Sequence, residues 1–375
     1  MSVKGLHKMI YPFAPDQSGA AAVLYEMGGM IIIVDAGGCA GNICGFDEPR
    51  WLDTKSAIFS AGLRDMDAIM GRDDLMIDKI TRASKKIDAR FVALIGTPVP
   101  ATIGTDYKAL RRMAEKRTGL PVITMNTSGA GWYDEGIEKA YEALIGKFTN
   151  DAYTQPVMRG TAGVLGVTPL DSGRLDAADR IGEILKAEGM TEVFCHGTAC
   201  GLSDLGRAGS AEKNIVAAVS GLKAARMLKE KYGTPYECTD PLARDALEEA
   251  LKGAGAGTLS LFEGKRVLII HQQVRANTIR NIIREELNRA CAAEGDSEAS
   301  QAGAGRIDAA TWFMLDDEIK EEGDFRIKEE SDFFNTIENG GYDVIMADPS
   351  FRKAAKGFSG TFIDLPHFAV SGVLR

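Results

Sequence analysis

The residues best suited to chemistry in this chain are its cysteines, of which four fall into two pairs of equal spacing. Cys39 and Cys44 are separated by four residues, as are Cys195 and Cys200, while Cys238 and Cys291 stand alone. The first pair lies in the run Asp35-Ala36-Gly37-Gly38-Cys39-Ala40-Gly41-Asn42-Ile43-Cys44-Gly45. Gly37, Gly38 and Gly41 let the backbone approach a ligand closely, and a tight turn presents the soft sulfur donors that iron or zinc requires. Two thiolates do not complete a four-ligand site, so the run also reads as a glycine-rich βα turn with small buried thiols. Cys195, His196 and Cys200 make a C-H-x-x-x-C run of three metal donors, against the alternative of buried cysteines at a strand end. Arg275 follows a strand ending at His271, where a guanidinium can hold an anionic group through paired N–H donors. The alternative is a solvent-exposed arginine at a helix start. The histidines, His7, His196, His271 and His367, are scattered, and none has a helical i, i+4 partner. There is no GxxxxGK[ST], HExxH, CxxC or GxSxG, and no GxGxxG after a strand, which argues against P-loop ATP hydrolysis in this chain.

Positioning these residues falls to an alternation of short apolar runs and helix-period segments, the pattern of parallel sheets covered by helices. Strands are predicted over 30–35, 91–95 and 122–125, with helices over 19–26, 75–86, 106–117 and 136–145. The pattern resumes with a strand at 163–167, a helix at 177–188 and a strand at 192–195. A helix is predicted over 211–232, with Ile215, Val219, Leu222 and Met227 on one face and Gly233 as its stop. The Gly-Ala stretch 253–257 reads as a hinge before a strand at 266–271. Then come a helix at 278–292, a strand at 309–315, a helix at 331–339 and strands at 343–347 and 361–365. The Gly, Ala and Ser-rich stretch 294–305 reads as a surface loop.

A chain of 375 residues suggests two or three units, and the restarts of the pattern place three α/β domains at 1–155, 156–260 and 261–375. With 45% hydrophobic and 26% charged residues, the composition is that of a soluble globular protein. A net charge of −9 argues against nucleic acid and anionic lipid as partners. The longest apolar run, 30–34, is far too short to span a bilayer, and the N-terminus lacks a signal-peptide pattern, so a cytoplasmic protein is expected. Six cysteines in so long a chain do not make a secreted disulfide framework.

The order of several segments gives the chain a family likeness. Residues 10–12 and 17–21 are followed by the turn at 34–41 and by 61–71, with its Leu-Arg-Asp-Met-Asp-Ala-Ile-Met-Gly. Next come Gly-Thr-Pro-Val-Pro-Ala-Thr-Ile-Gly-Thr at 96–105, then 165–170, 208–216 with 229–236, 264–270 and 341–349. In this co-linear order the chain resembles the nitrogenase component 1 family, which includes dark-operative protochlorophyllide reductase subunits and related cofactor-assembly scaffolds. The resemblance implies three Rossmann-like domains around a central cleft and pairing with a second copy or a paralogous subunit. It also implies low-potential electron transfer through an iron–sulfur cluster at the subunit interface, with electrons from a separate ATP-hydrolysing iron protein.

Of the three cluster cysteines in the family pattern, only the middle one is matched, by Cys39. The first position falls near Asp16 and the third is Thr97, before Pro98. Asp16 is therefore a candidate oxygen donor and Cys44 a candidate replacement thiol for a [4Fe-4S] cluster, with a degenerate or cluster-free site as the alternative. The family's cofactor-ligating cysteine falls near Ala218, so a nitrogenase cofactor held in the usual way is not expected. Arg275 matches a position where the family places a basic side chain beside the cleft. Two functions follow: an iron–sulfur redox subunit acting on a substrate or cofactor in the cleft, or a noncatalytic scaffold carrying a metallocofactor or tetrapyrrole.

Overall fold

β-Branched runs such as Met30-Ile31-Ile32-Ile33 and Val267-Leu268-Ile269-Ile270 are apolar on both faces, and such strands persist only where helices cover both sides of a parallel sheet. The computed structural model describes residues 8–149, 157–254, 261–293 and 305–374. It holds three such sheets. The first orders β1 (Met30–Ile33), β2 (Ile58–Ser60), β3 (Val92–Ile95) and β4 (Val122–Met125) as β2-β1-β3-β4. In the second, β5 (Met158–Leu165), β6 (Glu192–Cys195), β7 (Ala211–Val216) and β8 (Tyr236–Cys238) run β6-β5-β7-β8. The third joins β9 (Val267–Ile270), β10 (Ile307–Thr311), β11 (Phe325–Arg326), β12 (Val344–Ala347) and β13 (Thr361–Asp364) as β11-β10-β9-β12-β13. All these pairings are parallel.

The class is α/β, with three Rossmann-like parallel sheets around a central cleft. Each strand order reverses once, between β1 and β3, between β5 and β7, and between β9 and β12. Ligands of such sheets bind at these reversals, beyond the carboxyl ends of the strands. The two expected domain boundaries, near 155 and 260, lie outside the described residues, as does most of the 294–305 stretch and of the Gly-Ala hinge. Among the described residues no helix is long and apolar enough to cross a membrane.

One expected element is corrected. The single helix over 211–232 is in fact β7, a short turn and a helix over Leu222–Tyr232. The apolar spacing of Ile215, Val219 and Leu222 suits a helix face, but Ile215 and Val216 pair with β5 and β8 in the sheet interior, where β-branched side chains pack well. The strand expected at 309–315 also ends early, at Thr311, leaving Trp312 and Phe313 to fill the core beyond it.

The helices Asp16–Leu24 and Tyr133–Phe148 cross at two glycines. A Cβ on Gly136 would stand 1.7 Å from the Asp16 carbonyl oxygen, and one on Gly19 would stand 1.8 Å from that of Tyr133. Only Gly fits either position without moving a backbone that is wholly buried. Gly136→Ala is accordingly expected to cost about 3 kcal/mol, the upper end of overpacking penalties, read as a lower urea midpoint at unchanged slope.

Candidate iron–sulfur face and interdomain junction

Cys39 lies at the reversal point of the first sheet. β1 runs out through Val34 to Asp35, whose buried carboxylate accepts hydrogen bonds from the Ala40 N–H at 2.8 Å and the Ser60 hydroxyl at 2.6 Å. Gly37 turns the chain with φ +125°, a conformation that disfavours other residues, into the short helix Gly38–Asn42. A Cβ on Gly38 or Gly41 would meet nothing within 4 Å. The chain's own packing thus does not demand glycine there, and the open backbone leaves room for close approach from outside.

Burial and the Asp35 carboxylate push the half-buried Cys39 thiol up, while a hydrogen bond with Thr97 offsets part of that rise. Thr97 itself is fully buried, and its hydroxyl donates to the Val34 carbonyl at 2.7 Å. The Cys44 thiol, also half-buried, is raised by burial and by Glu48. Asp16 is fully buried; its two oxygens accept from the Gly129 N–H at 2.7 Å and the Ser128 N–H at 2.9 Å, and Lys139 lies 3.6 Å away. These bonds leave lone pairs unused, so it is the complete burial of Asp16 that separates it from an iron ion outside. Among the described residues no three His, Cys, Asp or Glu side chains are grouped to hold a metal ion. Taken alone, the chain falls short of a four-thiolate set.

The second cysteine pair is buried in protein. Cys195 and Cys200 are nearly inaccessible, and the Cys200 sulfur stands 3.5 Å from Nδ1 of the fully buried His196. Burial pushes the Cys195 thiol up to about 12 and the Cys200 thiol higher, and lowers His196 to about 4. At neutral pH these groups are uncharged. His196 Nε2 and the Asn214 side-chain amide, which lie over Gly163, have no hydrogen-bond partner among the described residues.

Sequence reasoning missed the residue that joins the two cysteine loops, Arg50. Its guanidinium, 6% exposed, pairs with Glu48 at 2.7 Å and Glu26 at 3.2 Å, and donates to the carbonyls of Ala22 at 2.6 Å and Gly197 at 3.2 Å. Glu26 in turn accepts from the Ala199 N–H at 2.6 Å. No local motif marks Arg50, because its partners come from three separate segments.

Arg275 lies at the reversal point of the third sheet and is buried. Its Nε pairs with Asp240, and its Nη1 donates to the Asp171 carbonyl at 3.0 Å, so protein groups already engage it. Beside it the three units meet. The Tyr133 hydroxyl bonds Asp171 at 2.6 Å and His367 Nε2 at 2.9 Å, and His367 stacks on His271 at 4.2 Å. The space bounded by His271, Phe313, Asp348 and His367, all from the third sheet's part of the chain, has no room for a water molecule.

Burial raises Asp171 to about 7 and the neighbouring Asp134 to about 6. Tyr133, Tyr141, Arg275, Asp134, Asp240 and His367 are charged or titratable groups that face Asp171. A carboxyl raised on folding contributes stability that is complete below about pH 4 and lost as pH rises through its folded value, here near 7. His196, lowered on folding, acts oppositely below pH 6.5. Unfolding free energy should therefore fall between pH 6.5 and 8, and Asp171→Asn, which keeps the Tyr133 hydrogen bond, should flatten that fall. Parallel slopes in the two proteins would contradict the assignment.

Comparison with known proteins adds three findings. The family model described as Nitrogenase component 1 type Oxidoreductase matches residues 16–288. The nitrogenase iron-molybdenum cofactor biosynthesis protein NifE of Bradyrhizobium diazoefficiens is 24% identical over 186 residues, which is 48% of this chain and 32% of that protein. The matched stretch thus spans about a third of the relative's length. Two solved structures, Nitrogenase Cp1 at pH 6.5 and at pH 5, superpose with TM-scores of 0.66 and 0.65. They share 13% and 15% identity with this chain, cover 97% and 96% of it, and are themselves covered over 87% and 84%. At such identities the likeness is one of fold.

Proposed function

Since the chain belongs to the nitrogenase component 1 type oxidoreductase family, we propose that it is one subunit of a paired iron–sulfur protein that passes low-potential electrons to a substrate or cofactor. The observation that carries this reading is the setting of Cys39. Around its turn, three loops at the carboxyl edge of the first sheet expose large apolar side chains: Phe46 at 76%, then Met66, Ile69 and Met70, then Val99 and Ile103. The helices Asp65–Met70 and Pro98–Ile103 touch, so two of these groups adjoin. A monomer seldom leaves such a surface to water, and a partner covering it would bury Cys39.

Each chain brings Cys39 and Cys44, and two copies bring the four thiols that a [4Fe-4S] cluster takes. Such a cluster, when bound, would store and pass single electrons. The chain's own residues prepare the place: Asp35 caps the Cys39 helix, Thr97 hydrogen-bonds the thiol, and Arg50 anchors the loop beyond Cys44. Part of the same proposal are a separate ATP-hydrolysing iron protein as electron donor, a cytoplasmic setting, and division of the chain near residues 155 and 260. Sedimentation should find two chains together, either as a homodimer or with a co-expressed paralogue; a strict monomer in both samples would contradict the pairing. Reduction of the cluster by the iron protein should require ATP, and equal reduction without ATP would remove that donor.

A second reading, a noncatalytic scaffold that carries a metallocofactor or tetrapyrrole, draws support from the likeness to a protein named for cofactor biosynthesis. ATP-dependent electron uptake with no release of a loaded cofactor to an acceptor protein favours the redox subunit. The reverse favours the scaffold.

A further inference from the structure

A cavity of about 940 Å³ opens between the N-terminal stretch, the loop after Cys44 and the C-terminal segment around Phe368. Its size suits a small organic ligand. Its walls are mostly apolar and include Tyr11, Phe46 and Trp132; Tyr11 and Phe46 are largely exposed, and of the two only Phe46 also belongs to the apolar face proposed for pairing. Asp47 is the one charged residue among the described residues that line the cavity, and no Lys, Arg or His is among them. The Asp47 carboxylate is half-buried and has no ion-pair partner among the described residues. Its Oδ2 accepts from the Ser18 hydroxyl at 2.6 Å and the Asn42 amide at 2.8 Å, and its Oδ1 accepts no hydrogen bond from them.

We propose that this cavity binds a largely apolar molecule bearing one positive charge, an amine or ammonium, with its apolar body against Tyr11, Phe46 and Trp132 and its charge beside Asp47. Aromatic faces attract a cation through their quadrupole, and a carboxylate without a counter-ion adds an electrostatic preference. The same arrangement rejects anions, which would meet Asp47 with no cation to balance them. Among the described lining residues nothing offers a nucleotide, a phosphate or a poly-carboxylate tetrapyrrole a cation. The proposal is independent of a cluster at Cys39.

The test is calorimetric titration of the purified full-length protein with three ligands of one shape: 1-naphthylmethylamine, 1-naphthylmethanol and 1-naphthoate. The amine is expected to bind at one site per chain, about tenfold tighter than the alcohol, the ratio that a partly desolvated cation–π contact and one half-exposed ion pair together supply. Naphthoate should not bind measurably. Asp47→Asn, which keeps an acceptor for Ser18, should bring the amine to the affinity of the alcohol. Tyr11→Ala, at an exposed position outside the apolar face proposed for pairing, should weaken amine and alcohol alike. No saturable amine binding, naphthoate binding as tight as the amine, or amine affinity unmoved by either substitution would overturn the proposal, the last by placing the ligand on another apolar surface.

Discussion

Cys39→Ser protein, purified without oxygen, is expected to lose nearly all the iron and acid-labile sulfide that the unsubstituted protein carries. In a pair of identical chains the change removes two of four thiolates at once, because each copy contributes the same residue. Loss of an outer-shell partner alone lowers metal affinity about 10–100-fold, so removing two ligands should exceed that range. Cys195→Ala is the matched control: that thiol is buried away from the exposed face, and its loss should leave iron content unchanged. Unchanged iron in Cys39→Ser would remove the ligand assignment, and equal loss in both variants would point to damaged folding instead.

The largest effect on stability is expected at Arg50. Arg50→Met leaves the Glu48 carboxylate buried without its cation and frees Glu26, Ala22 and Gly197 from the contacts that tie them together. Breaking a buried pair in this way costs about 3–5 kcal/mol, since the stranded charge loses its partner while remaining out of water. Arg50→Lys should rescue little, because the site uses donors on Nε, Nη1 and Nη2 in one planar fork. The double variant Arg50→Met with Glu48→Gln should recover part of the loss by removing the stranded charge. Denaturant unfolding of the unsubstituted protein, Arg50→Met, Arg50→Lys, Glu48→Gln and the double variant reads these differences, and additive losses in the double variant would show that Arg50 and Glu48 do not act as a pair.

Much of this architecture is written locally. Strands β1, β3, β9 and β12 are short apolar runs that read correctly because both faces are buried, and the Gly-Gly-Cys turn after β1 stands out because glycines cluster at a strand end. Strands β2, β8 and β11 were not legible. They are two or three residues long and sit at sheet edges, so pairing with a neighbour defines them rather than their own pattern. The segment 211–232 misleads because one apolar spacing serves both a strand–turn–helix and a single helix.

The site divides along the same line. Cys39 and Cys44 were visible in the sequence, and so was Arg275, but not its burial or the Asp240 partner that engages it. Asp16 and Thr97 drew notice only through a family pattern, and their roles as loop anchor and thiol partner follow from contacts with residues far along the chain. Tyr133, Asp171 and His367 meet across 234 residues of sequence, and no local signal announces such a junction.

The most direct measurement is native mass spectrometry of the protein reconstituted with iron and sulfide under anaerobic conditions, alone and with a co-expressed paralogue. The account predicts assemblies of two chains that carry a single cluster of four irons and four sulfides, together with apo chains that have lost it. A four-iron cluster on a single chain, or two-chain assemblies that remain free of iron after reconstitution, would contradict it.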